Sequence, residues 1–199
     1  MKPCLIKNRD GFGIWLHATN EPERARLPYS TQGCVIVNNG DILELSNYIA
    51  LNRTPIIVEE TIKYLDIEKI ASNESEIQSF MNMWVENWEN RDINKYIENY
   101  SKDFYSQKKN LKRWRKYKKR LFNKYSWINI EISDISILEK DNDYIVNFRQ
   151  KFISDQFSDY GKKRLYITKN DGKLKIVAEE WEEEESLLAE VEEAVSDGR

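Results

Sequence analysis

Apolar positions follow two different periods along this chain. From Ile77 to Phe104 they recur at helical intervals: Trp84, Trp88, Tyr96, Tyr100 and Phe104 stand four or eight residues apart, which lays them along one side of a helical segment. Asp92 falls in the same series just after Asn90-Arg91, placed to cap the start of a second helix. Residues 111–125 read as a third helix. Beyond them, apolar and polar residues alternate over four strand-like runs, 127–138, 144–157, 163–169 and 173–180. Turn residues separate the runs at 140–143, 158–161 and 170–172, and Asn170-Asp171-Gly172 between alternating strands is a strong hairpin signal. Three helices and then a meander of strands predict an α+β architecture with the helices on one face of an antiparallel sheet.

The first sixty residues are patterned differently. A short apolar run at 13–17, bounded by glycines, suits a buried strand that leaves His17 at its end, facing a cleft. Asn20, Pro22 and Pro28 make 18–32 an irregular loop. A second strand is expected at 34–37, then a short helix capped by Asp41 with Ile42, Leu45 and Ile49 on one face, then a third strand at 55–58 opened by Pro55. The organisation reads as an N-terminal unit over 1–60, a connector over 61–75, a second unit over 76–181 and a Glu-rich tail over 182–199.

Composition sharpens this division. All four Pro, both Cys and the single His lie in the first 55 of the 199 residues. Net charge is −3, with 40% hydrophobic and 33% charged residues, so the chain is polar yet able to build a core. Aromatic residues reach 12%, which argues against disorder because such side chains need somewhere to bury. No apolar run approaches the roughly 20 residues of a membrane span, and no signal segment opens the chain. Two Cys and one His cannot supply the four ligands of a structural zinc site.

One pair of residues carries chemistry. A Cys nucleophile acts as thiolate, and with a free pKa near ~8.5 it needs a base beside it. The only imidazole is His17, at the end of one expected strand, and Cys34 opens another. Gly33 has no Cβ, so a substrate carbonyl can approach the backbone N–H groups around Cys34. Nucleophile, base and oxyanion donors are the layout for acyl transfer. From residue types alone, Cys34 as a small buried hydrophobe and His17 as a hydrogen-bonded structural residue stand as the blander alternative.

The surrounding residues add to this. Leu16-His17-Ala18-Thr19-Asn20-Glu21-Pro22 followed by Ser30-Thr31-Gln32-Gly33-Cys34-Val35 resembles the catalytic segment of the L,D-transpeptidase (YkuD-like) family, with its HGTNEP-like stretch and its Ser/Thr-x-Gly-Cys motif. Asn38, Asn39 and the helix at Asp41 look like the asparagine and short helix that come after the family's Cys. Ala18 stands where the family usually has Gly, Gln32 where many members have His or Lys, and Ile36 where many have Arg, which removes a cationic contact to a substrate carboxylate. Only sixteen residues precede His17, so the resemblance implies a partial β-rich unit whose earlier strands are missing or supplied by a partner. It further implies that Cys34 attacks a carbonyl of a peptidoglycan stem peptide, that His17 moves the proton, and that Gly33 helps hold the oxyanion. Thr31, Gln32 and Asn20 would contact substrate. Water as acceptor would give L,D-carboxypeptidase activity and an amine would give a crosslink, with no metal or organic cofactor, in the periplasm or cell envelope. A Cys4–Cys34 disulfide would silence the nucleophile. The alternative is a catalytically impaired fragment.

The order and spacing of the second half resemble the NTF2-like fold, a cone of three helices packed on a curved antiparallel sheet. The pairing of the two halves resembles cell-shape carboxypeptidases of the Csd6/Pgp2 type. The resemblance implies a ligand-binding or dimerisation module. Alternation puts Val146, Phe148, Gln150 and Phe152 on one strand face, where Gln150 either orients a ligand or satisfies a buried backbone group, the second being favoured. The aromatic series is read as core. Residues 108–124 hold ten basic and no acidic residues. Net charge −3, a pI near 5.5 and the lack of a nucleic-acid motif favour a solvated helix face over a nucleic-acid partner.

Overall fold

The aromatic series builds the C-terminal half as its spacing predicts. A computed structural model of the chain describes residues 15–50, 54, 64 and 66–184. Two compact units divide it, one within 8–64 and one running from residue 65.

In the N-terminal unit, β1 (Leu16–His17) pairs in parallel with β2 (Val35–Ile36), Leu16 opposite Val35 and His17 opposite Ile36. The loop between them is not wholly irregular. Pro22 opens a turn of 3-10 helix, Pro22–Arg26, because its missing N–H is unneeded at a helix start. The Arg24 guanidinium donates to Ser30 O at 2.8 Å and the Ser30 hydroxyl donates back to Arg24 O at 2.9 Å, closing the loop on itself. Helix α1 (Asn39–Leu45) starts ahead of the expected Asp41: Asn38 is the N-cap residue, and Asp41 lies in the first turn, accepting from Asn38 Nδ2 at 2.9 Å. The expected strand at 55–58, Cys4 and the tail beyond residue 184 lie outside the described residues.

The C-terminal unit opens with α2 (Ile67–Glu89). Its helix begins within the expected connector, yet its buried side chains start at Ile77, with Ile67 and Ile70 exposed. Burial, which the sequence pattern records, and backbone helicity therefore have different boundaries. Asp92 caps α3 (Ile93–Glu98) as expected, its carboxylate accepting from Asn94 N and Lys95 N. The short pair β3 (Tyr105–Ser106) and β4 (Lys109–Asn110) leads into α4 (Leu111–Lys124).

Four long strands complete the unit: β5 (Ile128–Lys140), β6 (Asp143–Ser154), β7 (Ser158–Asn170) and β8 (Lys173–Glu183), antiparallel in that order. Asp171 and Gly172 both hold positive φ, 50° and 73°, which is the two-residue hairpin turn that Asp-Gly favours. The turn expected at 158–161 lies earlier. Ser154 turns the chain through its hydroxyl, which accepts from Phe157 N at 3.0 Å, and Ser158 already belongs to β7. Gly161 is a strand residue whose neighbour comes so close that a Cβ would collide with Glu182 O. Register shifts between Ser133 and Ser136, and between Tyr166 and Ile167, bend the sheet. Every second residue of β6 from Tyr144 to Ser154 is buried. The apolar ones, Tyr144, Val146, Phe148 and Phe152, form one core with Trp84, Trp88, Tyr96, Trp114 and Phe122 from the helices.

Candidate functional site

The parallel register sets the geometry of the N-terminal unit. Val35 N donates to Trp15 O at 2.9 Å and Val37 N donates to His17 O at 3.1 Å. Cys34 immediately precedes β2, next to Val35, the residue paired with Leu16, while His17 ends β1 opposite Ile36, so the two stand at neighbouring positions of the paired strands. Both Cys34 and His17 are half-buried. His17 Nδ1 lies 2.6 Å from Ala18 O. A carbonyl can only accept, so in the neutral ring Nδ1 holds the proton and Nε2 carries the lone pair.

The residues around Cys34 hold the turn before it. Thr31 Oγ1 donates to Cys34 O at 2.7 Å and accepts from Gly33 N at 3.2 Å. Its only proton is thereby used, and it retains acceptor capacity alone. Gly33 adopts φ 131°, a conformation that L side chains rarely enter. Its N–H, expected from sequence to serve the oxyanion, donates instead to Thr31 Oγ1. Gln32 and Asn20 are exposed. Asn39 has no role in the sequence reading beyond resemblance; its Oδ1 accepts from Thr19 N at 3.2 Å and joins the residue after Ala18 to the start of α1.

Gln150 belongs to the other unit, 3% exposed on the inner face of β6, and its Oε1 has no hydrogen-bond partner among the described residues. It does not satisfy a buried backbone group through that oxygen, contrary to the favoured reading. Around the same core lies a charged centre that sequence reasoning missed: Lys118, Lys163 and Glu179, all buried. Lys163 Nζ meets Glu179 Oε2 at 2.5 Å, and Tyr100 OH donates to Glu179 Oε1 at 2.9 Å. Lys118 Nζ sits 3.8 Å from the centroid of the Trp88 ring, with Trp114 and Tyr96 beyond, and forms no hydrogen bond or ion pair with a described residue. The Trp114 indole N–H is also unpartnered among the described residues. The signal for Lys118 is present in the sequence: it stands four residues after Trp114 and four before Phe122, on the apolar stripe of a helix whose other cations face outward.

Burial pushes the Lys118 ammonium down, neighbouring Lys163 adds to this, and Glu179 and Asp159 oppose it; the result is about 7. For Glu179, burial pushes the carboxyl up, but Lys163, Lys118 and its hydrogen bonds outweigh that and hold it below the usual carboxylate value. Burial, then Glu179, raises Tyr96 and Tyr100 well above an ordinary phenol.

This fold, with an aromatic and charged interior under helices and a bent four-stranded sheet, matches a known family. The family model of the Cds6 C-terminal NTF2-like domain matches residues 76–180, more than half of the chain. The chain belongs to that family. The model of the L,D-transpeptidase catalytic domain, YkuD, matches residues 5–58, which include Cys34 and His17. Among solved structures, Bd1075 of Bdellovibrio bacteriovorus is 33% identical with a TM-score of 0.72, over 90% of this chain and 64% of that one. The helical cell shape determining protein Pgp2 of Campylobacter jejuni is 26% identical with a TM-score of 0.62, over 84% of this chain and 60% of that one. The chain thus spans about three fifths of the length of these relatives. An NTF2-like protein of unknown function from Pseudomonas putida, 14% identical with a TM-score of 0.51 over 56% of this chain and 86% of that one, shares the fold. No curated protein sequence matches the chain. No described helix is long and apolar enough to cross a membrane.

Proposed function

We propose that the N-terminal unit carries out acyl transfer on peptidoglycan stem peptides, with Cys34 as nucleophile and His17 as base. The observation that supports it is the parallel pairing of β1, which ends at His17, with β2, which begins just after Cys34, within the segment matched by the L,D-transpeptidase catalytic domain. His17 Nε2 takes the thiol proton and the sulfur attacks the stem-peptide carbonyl. The tetrahedral oxyanion collapses to a thioester as the amine leaves with the proton from the imidazolium. Water or an amine then attacks the thioester and returns the thiol, giving L,D-carboxypeptidase or L,D-transpeptidase activity. An oxyanion at this position takes over the Gly33 N–H from Thr31 Oγ1, which makes Thr31 a holder of the unliganded loop. The setting is the cell envelope.

A carbapenem tests this directly, because its ring carbonyl acylates such a nucleophile. Intact-mass spectrometry is expected to show one adduct, absent in Cys34→Ser and formed roughly 10²–10⁴ times more slowly in His17→Ala. A native chain that remains unmodified overturns the proposal.

A second reading, that the C-terminal unit is a ligand-binding module, draws on Lys118 and on the unpartnered Gln150 Oε1 and Trp114 Nε1. A buried cation with unused donor and acceptor atoms suits a small carboxylate-bearing ligand. Calorimetric titration of the Cys34→Ala chain with stem tetrapeptide, expected to lose its heat in Lys118→Met, tests it; equal binding by both chains refutes it. The domain boundaries and homodimerisation through this unit belong to the same proposal, and sedimentation velocity reports the oligomer.

A further inference from the structure

Several cations of the sheet are answered by carboxylates: Arg149 by Asp134 and Glu184, Lys162 by Glu184, Arg164 by Glu180 and Lys169 by Glu76. The exposed cations of α4 have no such partner among the described residues. Lys112, Lys116, Arg120 and Lys124 form one exposed row at four-residue spacing, flanked by Arg115 and Lys119, and none of them forms an ion pair with a described residue. The rise of about 1.5 Å per residue puts these charges roughly 6 Å apart along the row, where like charges repel and no Asp or Glu intervenes. The sequence keeps this repulsion over the whole helix, which makes sense where an external anion relieves it.

Two further features say what kind of anion. At the N-terminal end of the row, an open groove of about 480 Å³ is lined by Lys102, Lys112 and Arg115 together with Ile97, Asn110 and Leu111. Cations beside apolar side chains fit an amphiphile with a phosphate head. At the other end, Gln156 Nε2 donates to Lys124 O at 3.0 Å and Ser126 N to Asp155 Oδ1 at 3.0 Å. These bonds hold Trp127 and Phe157, 48% and 49% exposed, beside the last turn of α4. Large aromatics half out of the surface next to a cationic row are the composition of a bilayer-interface contact. Within the helix itself, Trp114 and Phe122 are buried in the core and offer no face for bases to stack on along the row, so the exposed aromatics are confined to its end.

We propose that α4, with the groove at its start and Trp127 and Phe157 at its end, docks on an anionic phospholipid surface. The helix lies along the headgroups, its cations pair with lipid phosphates, and the two aromatics enter the interface. The inference stands apart from the acyl-transfer reading, since it uses no residue of the N-terminal unit.

Co-sedimentation of the full chain with vesicles one-third phosphatidylglycerol in phosphatidylcholine, in low salt, tests it. Binding is expected to such vesicles and not to pure phosphatidylcholine, and to vanish in half-molar salt. The Lys112→Gln, Lys116→Gln, Arg120→Gln, Lys124→Gln variant is expected to bind at least 100-fold more weakly, at about fivefold per cation. Trp127→Ala with Phe157→Ala is expected to lose several-fold without changing the salt dependence. The salt titration of the native chain gives an answer that needs no variant to fold. No binding to the anionic vesicles in low salt overturns the proposal. So does equally tight binding of soluble polyphosphate combined with vesicle binding indifferent to the aromatic substitutions, which would assign the face to a linear polyanion.

Discussion

At the residue scale, the buried charges decide most. Lys118 has an ordinary pKa of 10.5 and is held near 7 in the folded chain, so folding opposes its protonation. Below about 7 it is charged in both folded and unfolded states and the burial penalty is fully present. As pH rises from about 7 to about 10.5 the unfolded chain binds more protons than the folded one, and stability climbs. Lys118→Met is therefore expected to stabilise the chain at pH 6, by up to several kcal/mol at about 1.4 kcal/mol per pKa unit, and to lose that gain by pH 10.5. Urea unfolding of both chains across this range measures the difference. Glu179 has the opposite sign: its lowered pKa contributes stability above the usual carboxylate range that is lost on acidification. Glu179→Gln leaves buried Lys163 without its ion-pair partner and is expected to cost about 3–5 kcal/mol in the same assay at neutral pH. The proposed nucleophile and base are legible because Cys34 and His17 stand in a distinctive run of residues. Lys118 reads as one more cation in a basic run, because burial of one face of a helix is decided by what packs there.

At the element scale, signals held in neighbouring residues are readable and those between elements are not. Asp92 caps α3 through its own side chain, and the Asp171-Gly172 turn obeys local φ preferences. Asp92→Ala is expected to lose about 1 kcal/mol in thermal or urea unfolding. Gly161 and Gly172 make a contrasting pair. At Gly172 nothing lies within 4 Å of an added Cβ and only the positive φ resists it, so Gly172→Ala is expected to cost about 1 kcal/mol. At Gly161 the added atom meets the β8 backbone, and Gly161→Ala is expected to cost about 2–3 kcal/mol, more than Gly172→Ala, by forcing the strands apart. Equal losses at the two sites would refute this account. From sequence Gly161 looks like a turn residue, since a turn and a close strand approach both call for a missing Cβ.

For the whole molecule, the C-terminal unit holds one continuous core with its own sheet, caps and charged centre. Residues 66–184 alone are expected to fold cooperatively, with coincident far- and near-UV circular dichroism transitions in urea; an unfolded fragment refutes this. Starting at residue 76 instead removes the Asn73–Glu139 hydrogen bonds, and starting at residue 77 also removes the Glu76–Lys169 ion pair, which should lower the midpoint modestly. The sequence by itself determined the α+β class, the order of three helices and four long strands in the C-terminal unit, the Asp-Gly hairpin, and Cys34 and His17 as the candidate pair, because period, caps and turns are local chemistry. Only the tertiary structure decided the parallel register that brings the strand after Cys34 beside the one ending at His17, the close approach at Gly161, and the meeting of Lys118 with Lys163 and Glu179. Each of these depends on residues well separated in sequence becoming neighbours, and the free energy of a charge or a missing Cβ is set by those neighbours.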